Sequence, residues 1–206
     1  MSCLIACAAT GVVFWDAACF ELLRVCTSAS PLCDLASLGC YALAVSASGN
    51  LSLFTPECDF PVKVLPLDAE AFALSSIADL IVVGCARGIV RLFRTTTLAF
   101  VDTLPRPPPL GLLNATSQKD LPRNGDYWTE SYPSALCVRL MCYGSSIRVV
   151  AVYADRSLIV WSIEGITIVK YRSFLHHADC IWDLRCINQC RRTKANHTFS
   201  LTESTF

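Results

Sequence analysis

The sequence predicts an all-β protein that is assembled from repeated four-stranded units. Short runs of β-branched and aromatic residues alternate with turn residues, a pattern typical of antiparallel strands joined by hairpins. A turn, a strand and a closing aromatic residue recur together, and the closing residues are Trp15, Phe54, Phe93 and Trp161. They are separated by 39, 39 and 68 residues. Because a WD-repeat blade spans roughly 40–45 residues, these spacings predict a WD-repeat β-propeller with one insertion.

The most complete unit lies between Arg148 and Asp183. Asp155 occupies the turn between two strands, and Trp161 closes the second strand six residues later. A turn acid followed by a closing tryptophan is characteristic of one WD-repeat blade. Asp155 could also be read as a catalytic acid, but a carboxylate in a turn more often accepts hydrogen bonds from the backbone. The pattern therefore favours a structural role for Asp155.

The first two units are delimited by their turn residues. Residues 1–26 predict a partial blade with strands near 4–8, 12–15 and 20–25. The blade predicted over 27–66 is punctuated by glycine and proline, and its strands lie near 32–38, 41–47, 51–54 and 61–65.

The next two blades follow the same plan. The blade over 67–104 has predicted strands near 71–77, 80–85, 89–93 and 98–104. The blade over 135–175 has them near 135–142, 147–153, 158–161 and 166–172. The second strand of a blade is almost wholly apolar, as in Leu80–Val83, which predicts burial on both faces between neighbouring blades.

An insertion over 105–134 separates these two blades. It opens with Pro105, Arg106, Pro107 and Pro108, a stretch that must be extended and cannot join a central strand. Such a segment could dock into an SH3-type groove, so these four residues are candidate partner-binding residues. A rigid spacer leading into the insertion is the favoured alternative.

The end of the chain predicts an incomplete structure. Residues 176–187 begin a further blade, with His177 as the loop histidine before its first strand and Trp182 within that strand. Residues 188–206 have no apolar period and predict an irregular tail. Three full blades and two partial ones do not close a propeller, which typically has about 4–8 blades. We therefore expect a fragment, with apolar blade faces exposed at both ends and no partner strand for Cys180–Ile187.

The composition restricts the classes of partner and the compartment. The 17 basic and 17 acidic side chains balance, so no overall field attracts nucleic acid or a membrane surface. Thirteen cysteines are scattered singly. We expect those in apolar strands to be buried and reduced, with no disulfides, which predicts a cytosolic or nuclear protein. The strand cysteines concerned are Cys7, Cys33, Cys85, Cys137 and Cys142.

No pattern in the sequence predicts an enzyme, a metal site or a cofactor. Ligand-forming side chains cluster near the end of the chain, but none of their spacings matches that of a zinc site. They are His176, His177, Cys180, Cys186 and Cys190. Gly84–Gly88 follows a strand but leads into another strand, which excludes a phosphate-binding loop. The first strands of the blades offer few polar residues to a central channel, so a propeller-based enzyme is the less favoured alternative.

The later blades resemble those of the mitogen-activated protein kinase-binding proteins, a family of WD-repeat scaffolds with a spindle-pole member. The likeness extends over about residues 80–187 and is carried by Val83–Phe93, by the proline-rich Leu104–Gly111, and most specifically by Arg172–Asp183. The chain departs from the family pattern after Ile187. The family's kinase-docking and dimerisation segments lie in a long C-terminal region that this sequence does not contain.

The resemblance implies a non-enzymatic scaffold for protein–protein interaction. It implies service in stress-activated, c-Jun N-terminal kinase signalling or at the mitotic spindle pole, with kinases or spindle-pole proteins as partners. The implied location is the cytoplasm, including the cytoskeleton or spindle pole. A generic WD-repeat subunit of another complex is the alternative.

Overall fold

The computed structural model describes residues 3–106, 132–143, 146–164, 167–174, 181–187 and 198–203. Every regular element within these ranges is a β-strand, and all strand pairs are antiparallel between chain neighbours. The strands form five sheets, which we number in chain order. The described part of the chain contains no helix that is long and apolar enough to cross a membrane.

Sheet 1 has three strands, β1 (Cys3–Ala8), β2 (Gly11–Asp16) and β3 (Leu22–Thr27). Sheet 2 consists of β4 (Leu32–Leu38), β5 (Tyr41–Ser46), β6 (Asn50–Phe54) and β7 (Lys63–Pro66). Sheet 3 consists of β8 (Ala71–Ile77), β9 (Leu80–Cys85), β10 (Val90–Arg94) and β11 (Phe100–Thr103). Sheet 4 consists of β12 (Ala135–Tyr143), β13 (Ser146–Tyr153), β14 (Leu158–Glu164) and β15 (Thr167–Phe174). Sheet 5 pairs β16 (Ile181–Ile187) with β17 (Thr198–Glu203).

Consecutive sheets pack face to face through four separate apolar cores. Phe14 of sheet 1 packs with Phe54 of sheet 2, and Leu43 of sheet 2 packs with Phe93 of sheet 3. Sheets 3 and 4 share the largest core, which includes Trp161. Cys137 and Val150 of sheet 4 pack against Ile181 and Leu184 of sheet 5. Sheets that are buried between neighbours need apolar side chains on both faces, which explains the apolar second strands.

The first strands of sheets 2 to 5 contact one another in chain order and form the inner wall of the assembly. Each of them carries a β-bulge at the same place, directly after its first residue. The first residues are Leu32, Ala71, Ala135 and Ile181. A bulge leaves one residue unpaired and increases the local twist. Its recurrence shows that the four sheets are copies of one structural unit, although their sequences differ.

These observations confirm the predicted fold class. The molecule is all-β and has WD-repeat propeller blades in an incomplete set, with three four-stranded blades between a three-stranded sheet and a two-stranded one.

The tail differs from the expectation. The sequence predicts an irregular segment after residue 187 and no partner for the strand before it, whereas Thr198–Glu203 forms β17 and pairs with β16. The reason is a short polar–apolar alternation in Thr198–Thr202, which suits a strand that has a neighbour to pair with.

The expected burial of the strand cysteines is wrong for three of the five. Cys85 and Cys137 are buried, but Cys7, Cys33 and Cys142 are exposed. Cys33 directly follows the first residue of β4, where the bulge leaves it outside the ladder. Apolar neighbours in the sequence therefore do not guarantee burial on the inner wall.

Two glycines in sheet 2 allow the turn geometry and its packing to be tested separately. Gly39 and Gly49 have φ values of 62° and 79°, a region of backbone conformation that residues with a side chain disfavour. A Cβ at Gly39 would have no neighbour within 4 Å, whereas one at Gly49 would lie 2.3 Å from the Ala69 carbonyl oxygen. We expect Gly39→Ala to destabilise by about 1 kcal/mol through strain alone.

Gly49→Ala should lower the free energy of unfolding more than Gly39→Ala does. The backbone strain is the same in both variants, but at Gly49 the new Cβ also clashes with the Ala69 carbonyl oxygen. Urea denaturation of both variants measures the difference. Equal losses of stability would contradict the close approach of the Ala69 carbonyl.

Candidate protein-interaction sites

The inner wall carries a charged network that joins four sheets. The guanidinium of Arg139, on β12, donates to Asp183 Oδ1 at 2.9 Å and lies 3.8 Å from Asp34 Oδ2. It also donates to the carbonyl oxygens of Leu184 at 2.9 Å and Leu74 at 3.4 Å. One side chain therefore contacts sheets 2, 3 and 5 from its position on sheet 4.

Asp34 forms the other end of this network. Its carboxylate accepts hydrogen bonds from the backbone nitrogens of Leu35 and Leu74, both at 2.8 Å. Burial raises the pKa of Asp34, although these hydrogen bonds and the charge of Arg139 act in the opposite direction. Like Asp34, Asp183 accepts a hydrogen bond from the backbone nitrogen of the next residue, here Leu184 at 2.8 Å.

Serine hydroxyls connect the same strands closer to the solvent. Ser76 Oγ donates to the Ser37 carbonyl at 3.1 Å, and Ser75 Oγ accepts from the Leu140 nitrogen at 3.1 Å. The three serines line an open groove of about 280 Å³ together with Arg139, Leu35, Ala36 and Leu74. Pockets for small organic ligands are typically about 300–1,000 Å³ and mostly apolar. A small polar groove on this wall is better suited to a few side chains of a protein partner.

The raised pKa of Asp34 leads to a prediction about pH. The folded protein binds this proton more tightly than the unfolded chain, whose Asp pKa is about 3.9. The group therefore contributes stability below that value, and the contribution is lost as the pH rises through the folded pKa. We expect Asp34→Asn, which cannot ionise, to gain stability relative to wild type between pH 4 and pH 7.

Asp79 provides the control with the opposite sign. A hydrogen bond from Thr95 lowers the pKa of Asp79, so its contribution is present above the unfolded pKa and is lost as the pH falls. Relative to wild type, Asp79→Asn should therefore lose stability as the pH rises from about 2 to about 5, the range around the unfolded pKa. Thermal unfolding of both variants from about pH 2 to about pH 7 tests the two predictions, and parallel trends would contradict the opposite pKa shifts of Asp34 and Asp79.

The aromatic residues that close the third strands occupy one common position. The three strands of sheet 1 correspond to the second, third and fourth strands of the other sheets, so that β2 is the equivalent of a third strand there. Pairing with the fourth strand shifts register directly before Trp15, Phe93 and Trp161, and in sheet 2 it ends at Leu53, before Phe54.

Phe54, Phe93 and Trp161 are 0%, 3% and 4% exposed, whereas Trp15 is half-buried. Pairing continues past the shift in sheets 3 and 4, where Phe93 is opposite Phe100 and Trp161 is opposite Lys170. The rings of Phe54, Phe93 and Trp161 lie in the cores that their sheets share with the preceding sheets.

Asp155 lies in the turn between β13 and β14. Its Oδ1 accepts hydrogen bonds from the backbone nitrogen of Ser157 at 3.0 Å and from the Ser157 hydroxyl at 2.6 Å. The next residue, Arg156, has a φ of 71°, a strained geometry that the carboxylate helps to hold. His177 lies outside the described residues, and Trp182 lies in β16 with its side chain outside the described part.

The base of the insertion is closed by a cation–π contact. The guanidinium carbon of Arg106 lies 5.1 Å from the centre of the Tyr132 ring, within the distance at which such pairs attract. The contact joins the segments on either side of residues 107–131. Of the candidate partner-binding residues, Pro105 and Arg106 are exposed, whereas Pro107 and Pro108 lie outside the described residues.

The charged network was missed by reasoning from the sequence. We expected few polar side chains on the first strands, but Asp34, Ser37, Ser75, Ser76, Arg139 and Asp183 all lie there. One signal was available, since Asp34 and Asp183 are each the third residue of a first strand. Among the described residues, no group of three or more potential metal ligands lies together.

Comparison with known proteins gives two relatives of the same name. Over 165 residues, which are 79% of the chain, the sequence is 32% identical to mitogen-activated protein kinase-binding protein 1 of Mus musculus. Over 115 residues, or 55% of the chain, it is 33% identical to the protein of that name from Homo sapiens. The matched part spans 10% and 8% of the length of these curated relatives. No protein-family model matches the chain.

Solved structures support the fold. The chain is similar to the computationally designed protein Ika8, with a TM-score of 0.63 and 17% identity over 90% of this chain and 50% of that one. It is equally similar to a chain of the mitotic checkpoint complex, with a TM-score of 0.63 and 12% identity over 88% and 53% of the two chains. The chain is thus similar in fold to these structures and in sequence to mitogen-activated protein kinase-binding protein 1, which confirms the family resemblance predicted from its residues.

Proposed function

We propose that this chain is a WD-repeat module of a non-enzymatic scaffold, and that its protein partner is a mitogen-activated protein kinase. The observation that carries the proposal is the 32% identity over 79% of the chain to a protein named for kinase binding. The more specific form is a role in c-Jun N-terminal kinase signalling or at the mitotic spindle pole, in the cytoplasm or on the cytoskeleton.

The inner wall supports this proposal, because it offers a partner a groove with both charge and hydroxyl groups. Asp34 and Arg139 are each a little under one-third exposed, so a partner can reach them without unfolding the sheets. Ser37, at the edge of the groove, is exposed and uses its backbone carbonyl rather than its side chain to bond Ser76. A larger side chain at Ser37 should therefore block the groove and leave the sheets intact.

The proposal is tested by direct binding of the purified chain to purified kinases. Surface plasmon resonance against c-Jun N-terminal, p38 and extracellular-signal-regulated kinases should show saturable binding to at least the first. We expect Ser37→Arg to weaken binding at least about tenfold, which corresponds to about 1.4 kcal/mol. Thr96→Arg adds the same charge at an exposed turn away from the groove and should bind like wild type.

Arg106→Ala tests whether the kinase binds at the base of the insertion rather than in the groove. Loss of binding with Arg106→Ala but not with Ser37→Arg would move the site to the base of the insertion. Failure of the folded chain to bind any of the three kinases would overturn the kinase proposal.

A further inference from the structure

Two cysteines meet where the last strand of sheet 1 lies against sheet 2. Cys26, in β3, is fully buried, and its thiol donates to the carbonyl oxygen of Cys58 at 3.0 Å and to that of Thr55 at 3.5 Å. Cys58 lies in the segment between β6 and β7 and is exposed. The contact therefore joins two different sheets through residues that are 32 positions apart in the sequence.

The backbone next to this contact is held in register. The nitrogen of Thr27, the residue after Cys26, donates to the carbonyl oxygen of Asp59, the residue after Cys58, at 2.9 Å. Arg24 forms an ion pair with the Asp59 carboxylate at 2.8 Å. Two successive residues of β3 thus contact two successive residues of sheet 2, and the two main chains lie side by side here.

This geometry brings the two cysteines within reach of a disulfide. Standard bond lengths place a carbonyl oxygen about 2.4 Å from the Cα atom of its own residue. The Cα atom of Cys58 is therefore at most about 5.4 Å from the Cys26 sulfur. The same two atoms are about 4 Å apart in a disulfide of standard geometry. Rotation of the exposed Cys58 side chain, with a small movement of the segment that carries it, closes the difference.

The two thiols differ in their access to solvent. Cys58 is exposed, so a dissolved oxidant reaches it first. Cys26 is shielded, and its burial raises the pKa of the thiol, although the charge of Arg24 acts in the opposite direction. A buried thiol is protected from a bulky oxidant, but it can attack a sulfur atom that its own fold places beside it. Cys58 is thus the entry point, and Cys26 is the resolving thiol.

We propose that Cys26 and Cys58 form a reversible disulfide site, which is oxidised by a small-molecule disulfide such as glutathione disulfide. The Cys58 thiolate attacks one sulfur of the oxidant and forms a mixed disulfide, and one glutathione leaves as a thiolate. Cys26 then loses its proton and attacks the Cys58 sulfur, and the second glutathione leaves. Two protein thiols are oxidised to one disulfide, one glutathione disulfide is reduced to two thiols, and these take up the two protons.

The product joins sheet 1 to sheet 2 by a covalent bond. In a reducing compartment such a bond is transient and reports the redox state. The site is separate from the groove of the inner wall, and the proposal does not depend on kinase binding.

Cleavage after glutamate residues tests the proposal on the full chain. The folded, reduced chain is incubated with mixtures of oxidised and reduced glutathione, its remaining thiols are blocked, and it is then unfolded and cleaved. Cleavage after Glu21, Glu57 and Glu70 places Cys26 in the fragment 22–57 and Cys58 in the fragment 58–70. We expect mass spectrometry to find these fragments linked, and a reductant to separate them. Fragmentation of the linked species should identify Cys26 as the partner of Cys58.

Three variants distinguish this pair from other cysteines. Cys58→Ser changes an exposed side chain and should abolish the link without disturbing the fold. Cys26→Ser should also abolish it and leave glutathione bound to Cys58. Cys33→Ser is the matched control, because Cys33 is exposed and lies in the same fragment as Cys26. It should form the link like wild type, and circular dichroism checks that each variant is folded.

Thermal unfolding gives an independent measurement. The oxidised wild-type chain should unfold at a higher temperature than the reduced one, because the bond restricts the unfolded chain. This difference should be absent in Cys58→Ser. A link that persists in Cys26→Ser would overturn the proposal. So would a wild-type chain in which Cys58 takes up glutathione at every ratio but forms no link.

Discussion

Trp161→Ala is expected to lower the free energy of unfolding by about 3–5 kcal/mol, the usual cost of truncating a buried aromatic to alanine. Trp161 is 4% exposed and lies in the core between sheets 3 and 4, with Val82 and Leu92 on the sheet 3 side. The cavity would open in the middle of an interface that must close around it from both sheets. Because a domain is stabilised by only about 5–15 kcal/mol, soluble yield should also fall sharply.

Phe100→Ala is the matched control for this prediction. Phe100 is also an aromatic strand residue, but it lies on the outer strand of sheet 3 and is 60% exposed. Its truncation should cost less than about 1 kcal/mol, as is usual for exposed positions. Urea denaturation followed by tryptophan fluorescence and circular dichroism measures both variants. Equal tolerance of the two substitutions would contradict the burial of Trp161 between two sheets.

Arg139→Ala should have the second-largest effect, because it removes the cation that joins Asp34 and Asp183 in the inner-wall network. Asp34 of sheet 2 and Asp183 of sheet 5 would then both lack the Arg139 guanidinium, and the Leu184 carbonyl would lose its 2.9 Å hydrogen bond. Leaving a buried polar or charged partner unsatisfied costs about 1–3 kcal/mol per group. We expect a total loss of about 2–4 kcal/mol at pH 7.

Two further variants show whether the network itself is responsible. Arg139→Lys keeps the charge but cannot reach several partners at once, so it should recover only part of the loss. Arg94→Ala removes an equivalent ion pair with Asp79 in which both side chains are about half exposed. It should cost at most about 1 kcal/mol. A loss for Arg139→Ala no larger than that for Arg94→Ala would argue against a cooperative network.

The repeat explains how much of the fold could be predicted. Trp15, Phe54, Phe93 and Trp161 mark the ends of third strands, and turn glycines such as Gly49 mark the hairpins. These signals are local, because turn geometry and strand alternation depend on neighbouring residues. They place the strands of sheets 1 to 4 and the first strand of sheet 5 to within a few residues, but they do not predict β17. The shared bulge of the first strands has no comparable signal, since different residues occupy it in each sheet.

Burial was less predictable than strand position. Cys33 and Cys85 both occur in apolar strands, yet Cys33 is exposed and Cys85 is buried. The difference depends on which side of a strand meets a neighbouring sheet. That information is not local. The same limit applies to Trp15 and Trp161, which share a position in the repeat. Trp161 is buried against the preceding sheet, whereas Trp15 is only half-buried.

The sequence by itself determined the all-β class, the blade period and the resemblance to kinase-binding scaffolds, because each depends on spacing and residue type along the chain. Tertiary structure alone decided that Arg139 reaches Asp34 and Asp183, which are 105 and 44 residues away in the sequence, and that the Cys26 sulfur lies beside the Cys58 carbonyl. Contacts between blades join residues tens of positions apart, and their register is set by how the sheets pack. A charged network or a pair of cysteines from two sheets therefore becomes visible only when the blades are placed side by side.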